Sequence, residues 1–179
     1  MHLQLQGHMT INASAQKVWG VLAHDFGNIG QWASAIPASQ AIADLPTPAG
    51  AEVGGRVCST AVAGFAAVQE TFTYYDEPSM RFAYQATEGR PWFLRRAENH
   101  WMVRSLGPHT SLVETRAELD VRLFPGLLLA PLLKLQMGRV GVRSLEELKY
   151  YVEHDQPHPR KLKARQKHVQ KEVPIAGGH

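Results

Sequence analysis

A single cysteine, Cys58, stands among 179 residues, so neither an intramolecular disulfide nor a multi-cysteine zinc site can form, and such sparse usage suits a reducing compartment. Nothing approaches the roughly 18 uninterrupted apolar residues of a membrane-spanning helix. The densest run, Leu123 to Leu135, is broken by Pro125, Gly126, Pro131 and Lys134. Residues Met1 to Met9 lack a basic start followed by an apolar stretch and do not read as a secretory signal. A cytoplasmic location is expected. No glycine-rich phosphate loop leads from a strand into a helix, since Gly54-Gly55 opens a strand, and nucleotide binding has no support. Of the nine histidines, His100 and His109 fall on different elements, while His154, His158 and His168 belong to a helix end and the tail. No metal and no cofactor are expected.

Charge of one sign is also lacking overall: 19 Lys and Arg face 16 Asp and Glu, for a net +3. The excess is local. From Gln156 onward six Lys and Arg face only Glu172, leaving the rest of the chain at −2. That is not a basic nucleic-acid surface, and no specific nucleic-acid partner is expected. The division is therefore a domain over residues 1–155 and a basic, flexible tail over 156–179 with little apolar surface to bury. With 44% apolar residues, a chain of this length buries about 70% of its unfolded surface, enough for a core and an internal pocket.

The patterning gives the order of elements. Leu3, Leu5, Met9 and Ile11 alternate as a strand over residues 2–11. Ser14 is placed to cap a short helix carrying Ala15, Val18, Val21 and Leu22, and Ile29, Trp32 and Ile36 space as a second short helix or turn. Trp19, Phe26 and Trp32 read as core. After a loop rich in Pro and Gly come strands over 56–62, 66–75, 80–87, 93–106 and 111–123, separated by Gly64, Asp76-Glu77-Pro78, Gly89-Arg90-Pro91 and Gly107-Pro108. A helical period returns from Gly126 to Glu153, interrupted by Gly138 and Gly141, each costing about 1 kcal/mol relative to Ala. Something there needs room. One strand, two short helices, a run of antiparallel strands and one long helix make an α+β fold, with a cavity between helix and sheet.

The stretch Ile11-Asn12-Ala13-Ser14-Ala15-Gln16-Lys17-Val18-Trp19, followed by Asp25-Phe26-Gly27-Asn28-Ile29 and Trp32, resembles the opening of the polyketide cyclase/dehydrase and lipid-transport group of the START-like, or Bet v 1-like (SRPBCC), superfamily. Gly55-Arg56-Val57, Glu70 with Tyr75-Asp76-Glu77, Tyr84 and Leu145-Glu146-Glu147-Leu148-Lys149 extend the likeness over about Gly7 to Glu153. It implies the helix-grip arrangement: a curved seven-stranded antiparallel sheet wrapped around a long C-terminal helix, with two short helices after strand 1. The superfamily's hormone receptors are a poorer match, since Val62-Ala63-Gly64-Phe65 stands where their gate loop would be.

Within that arrangement Val68, Glu70, Phe72 and Tyr74 share one strand face and should point into the cavity. Glu70 is then a carboxylate among apolar neighbours, available for an ion pair with Arg56 or Arg95, for a ligand hydroxyl or for proton transfer. The other candidate ligand-binding residues are Tyr84, Asn99, Trp101, Thr115, Met137, Gly138 and Gly141. Cys58 reads as a buried bystander. The function expected is binding of a hydrophobic small molecule, a lipid, polyketide or aromatic compound, as carrier or sensor. The alternatives are a polyketide aromatase/cyclase with Glu70 as the catalytic group, and an interaction module working through its tail. Leu127-Leu128-Leu129 with Leu132-Leu133 forms an apolar lip, and the tail is a candidate for transient contact with anionic membrane. A monomer or a homodimer is expected.

Overall fold

Alternation of apolar and polar residues in the first eleven positions produces β1 (His2–Ile11), whose inner residues are half-buried and whose outer ones are exposed. Ser14 then caps α1 (Ala15–Trp19), its hydroxyl accepting from the Lys17 amide at 3.2 Å. The chain continues through one π-helical segment (Gly20–His24) and one 3₁₀ segment (Phe26–Gln31). The remaining elements are β2 (Ser39–Ala41), β3 (Gly55–Ser59), β4 (Ala67–Asp76), β5 (Arg81–Glu88), β6 (Leu94–Gly107), β7 (Thr110–Val121), α2 (Leu123–His154) and α3 (Pro159–Glu172). This computed structural model describes residues 1–61 and 67–172, without the side chains of 125–129 and 168–172. The Val62–Phe65 segment and the Leu127–Leu129 part of the apolar lip lie outside the described residues and side chains.

All seven strands form one antiparallel sheet in the order β1-β7-β6-β5-β4-β3-β2. Register shifts in the β4·β5 pair, at Gln69/Glu70 and Phe72/Tyr74, and in the β6·β7 pair, at Leu94/Arg96 and Ser105/Gly107, bend the strands. Such bulges increase local twist and curve the sheet around α2. At Gly7 of β1 an added Cβ would stand 2.8 Å from Leu145 Cδ1, so the missing side chain is what lets α2 come down onto the strand. Gly89, with φ +74° and an Ala67 carbonyl where a Cβ would go, makes the tight turn after β5.

Two apolar clusters hold helix and sheet together. The larger gathers Trp19, Phe26, Phe82, Val113, Leu145 and Leu148, and the smaller gathers Leu94, Leu119, Val121 and Leu133. The space between them is the site described below.

The stretch expected as a flexible tail is helical through residue 172, and it is docked. The expectation rested on apolar content, whereas α3 is held by polar contacts. Lys161 is fully buried, its ammonium donating to the carbonyls of Ile36 at 2.6 Å and Pro37 at 3.3 Å. Arg165 donates to the Gln31 carbonyl and amide oxygen, and Arg160 pairs with Glu146 and Glu147. Glu147, itself buried, accepts from the Ser34 amide and hydroxyl, both at 2.7 Å. Thus α3 and α2 together clamp the 31–37 segment.

Burial, and then the neighbouring Arg165, lower the Lys161 pKa to about 8 despite Glu147. The same amine in the unfolded chain titrates near 10.4. Between those values the unfolded state binds more protons, so this group's contribution to stability is lowest and flat below pH 8 and rises as pH climbs through it. The buried Cys58 thiol, pushed up to about 12 chiefly by burial, acts in the opposite sense over the same range, since an unfolded thiol titrates near 8.5, and it does so in both proteins compared below. From pH 8 to 9 the unfolding free energy of the wild type should therefore gain about 1 kcal/mol on that of Lys161→Met. Parallel curves in urea titrations of the two proteins would contradict this.

Candidate functional site

Between the sheet and α2, and between the two apolar clusters, lies a cavity of about 230 Å3. Its floor is the inner face of β3 to β7. Antiparallel register aligns the polar members of that floor: Arg56 faces Glu70 across β3 and β4, Tyr84 faces Asn99 across β5 and β6, and Trp101 faces Thr115 across β6 and β7. All six line the cavity, as do Met137, Gly138 and Gly141 from α2. At each of the two glycines an added Cβ would have no heavy atom within 4 Å, so the helix presents open space there.

Arg56 is the buried centre of the polar floor, 3% exposed. Its Nε donates to Glu70 Oε2 at 2.6 Å and its Nη1 to the Phe26 carbonyl at 2.8 Å. The guanidinium lies 3.9 Å from the centroid of the Phe26 ring and 5.0 Å from that of Tyr84, a cation–π arrangement suited to a desolvated cation. Burial works against this charge, but Glu70, Tyr84 and Cys58 together more than offset it and the Arg56 pKa is raised. Of the readings open to Glu70, the ion pair is the one realised, with Arg56 as the partner. Cys58 Sγ also approaches Glu70 Oε2, at 3.8 Å, and its raised pKa keeps it a thiol, not a nucleophile. Burial first, and then Glu70, raise the Tyr84 pKa as well, so its hydroxyl stays protonated.

Two expected cavity residues are elsewhere. Phe72 packs on Phe26, ring centroids 4.2 Å apart, within the larger apolar cluster. Tyr74 is on the opposite face, 51% exposed, its hydroxyl donating to Asp76. The cause is the register shift between Phe72 and Tyr74, which inserts Thr73 and turns Tyr75 inward against Trp19. Arg95 is likewise exposed, because the shift between Leu94 and Arg96 buries Leu94 instead. The arginine therefore cannot serve Glu70.

One wall was not anticipated as part of a site. Ile29, Trp32, Ala35 and Ile36, from the 3₁₀ segment and the loop after it, also line the cavity. Their apolar spacing was legible, but only as core packing. Small inward residues, Ala86, Ala97 and Ala117, give the floor its depth.

A family model described as polyketide cyclase / dehydrase and lipid transport matches residues 2–153. The chain belongs to this family. Its match ends where α2 ends, so α3 lies beyond the matched region. No curated protein sequence matches. Among solved structures, the fold is shared with a START superfamily protein from Mycobacterium smegmatis, at 19% identity and TM-score 0.69 over 86% of this chain and 98% of the other. It is shared also with the ZhuI aromatase/cyclase from Streptomyces sp. R1128, at 16% identity and TM-score 0.71 over 86% and 94%. Norcoclaurine synthase from Thalictrum flavum matches at 16% identity and TM-score 0.62 over 87% and 97%. These likenesses support the START-like, helix-grip fold. Among the described residues no helix is long and apolar enough to cross a membrane.

Proposed function

We propose that this member of the polyketide cyclase/dehydrase and lipid-transport family binds a compact hydrophobic molecule between sheet and α2, as a carrier or sensor. The observation that carries the reading is the cavity of about 230 Å3 with its mostly apolar wall and one polar cluster of buried Arg56 and Tyr84 with partly buried Glu70. Apolar walls supply affinity and a few polar groups fix orientation. Drug-sized sites occupy about 300–1,000 Å3, so the fit is to one or two rings or a short acyl group rather than an extended polyketide chain.

The aromatase/cyclase reading needs a free acid or base within about 3 Å of the reacting group. Glu70 is already committed to Arg56, and Tyr84 is a protonated hydroxyl suited to donating to a ligand carbonyl. Binding is therefore favoured over catalysis. The tail-based readings lose ground for a similar reason. Arg160, Lys161 and Arg165 are engaged by the domain, leaving Lys163 and Lys167 as the exposed cations of α3 whose side chains are described.

Native mass spectrometry of the purified full chain, with extraction of any co-purifying molecule, tests the proposal, together with calorimetric titration by 2-naphthol, a two-ring phenol. Saturable 1:1 binding with Kd on the order of 10 μM is expected. Neither a retained molecule nor saturable binding would mean that the cavity is a closed packing defect.

A further inference from the structure

On the outer face of the sheet, away from the cavity, Glu98 of β6 and Glu118 of β7 are direct cross-strand partners. Like charges in that position repel. Water does little to relieve the repulsion, because the Glu98 side chain is only 5% exposed. His100, on the same face of β6, directs Nε2 at both carboxylates, 3.3 Å from Glu98 Oε2 and 3.9 Å from Glu118 Oε2. That nitrogen is buried and makes no hydrogen bond among the described residues. The other carboxylate oxygens are held separately. Thr73, the residue inserted by the β4 bulge, donates to Glu98 Oε1 at 2.6 Å, and Arg116 Nε lies 3.1 Å from Glu118 Oε1.

We propose that Glu98, His100 and Glu118 form a binding site for one divalent cation of the zinc class, with a fourth position open to solvent. Zinc takes imidazole nitrogen and carboxylate oxygen at about 2.0–2.2 Å, which sets ligand-to-ligand edges of roughly 3.3–3.6 Å in a tetrahedron. The two distances from Nε2 lie at or within a few tenths of an ångström of that range. Two carboxylates balance the ion's charge and remove the repulsion across the strands. Thr73 and Arg116 act as outer-shell partners, fixing the distal oxygens so that both Oε2 atoms remain for the ion. An imidazole in the set favours zinc-like cations over magnesium or calcium, which prefer oxygen alone.

One group competes. Arg96 bonds Glu98 Oε2, but its side chain is 49% exposed and can swing into water when the ion enters. An ion would approach past His100, which borders a groove on this face lined also by Gln6, His8, Tyr74 and Arg116.

The test is calorimetric titration of chelator-treated full-length protein with zinc chloride alone, with circular dichroism to check folding of each variant. One ion per chain is expected, with affinity falling about 100-fold in His100→Ala and at least about tenfold in Glu118→Gln. Arg96→Ala should bind several-fold more tightly than wild type, since it removes the competitor. A surface that collects zinc nonspecifically has no reason to show that gain. Magnesium chloride should give no saturable heat. The proposal is overturned if the wild type shows no saturable zinc binding. It is equally overturned if His100→Ala binds as wild type does, or if binding is lost in His154→Ala/His158→Ala and kept in His100→Ala.

Discussion

Replacing Arg56 by methionine while Glu70 stays in place should cost the fold about 3–5 kcal/mol, the range for breaking one side of a buried ion pair. A domain of this size has only about 5–15 kcal/mol to lose, so the urea midpoint should fall steeply. The loss has two sources: Glu70, 16% exposed, keeps a carboxylate with its cation gone, and the buried Phe26 carbonyl loses its donor. Arg56→Met/Glu70→Leu separates them. If the unpaired charge dominates, the double variant recovers most of the stability, because apolar replacement of a whole buried pair is often neutral or stabilising. Equal losses in the single and double variants would instead assign the cost to the Phe26 carbonyl left without its donor and to the lost packing of the guanidinium on Phe26 and Tyr84. Either result bears on function, since the pair supplies most of the buried charge that a ligand in this cavity meets.

How far the sequence could be read depended on whether a feature leaves a periodic trace. β1, the run from β3 to β7 and the long α2 all do, and their expected bounds lie within a few residues of those observed. β2 does not. Three residues at a sheet edge, Ser39–Ala41, have no alternation to detect, and the seventh strand was expected only through the family resemblance. Alternation also fails at bulges, which leave the composition unchanged but reverse every side chain beyond them. That is why Glu70 was placed correctly while Tyr74, four residues on and past the shift at Phe72/Tyr74, was not. Arg95 failed for the same reason at Leu94/Arg96. The docking of α3 was hidden because Lys161 is bound through its ammonium and two carbonyls, a contact no hydrophobic pattern registers. The cluster on the outer face was hidden by register. A search for paired histidines passes over Glu98 and Glu118, which meet only because the β6–β7 hairpin sets them opposite each other.

Gly141→Leu should move stability and binding in opposite directions. A mid-helix glycine costs about 1 kcal/mol relative to Ala or Leu, and a Cβ at position 141 would meet nothing within 4 Å. A leucine side chain there enters the cavity, and its burial contributes about 1.5–3 kcal/mol. Unfolding free energy should therefore rise by about 2.5–4 kcal/mol, while the same side chain takes a large share of roughly 230 Å3 and lowers 2-naphthol affinity at least tenfold. Gly138→Leu is the informative contrast. Gly138 borders both the cavity and the open groove along Leu5, Lys134 and Val142, so a leucine there can rotate outward and should affect binding less. A glycine whose replacement stabilises the protein and abolishes binding is held for the room it leaves, which ties the cavity to function. If Gly141→Leu destabilises instead, the helix already lies against the floor at that point, and the ligand site would have to be sought outside the sheet–α2 interface.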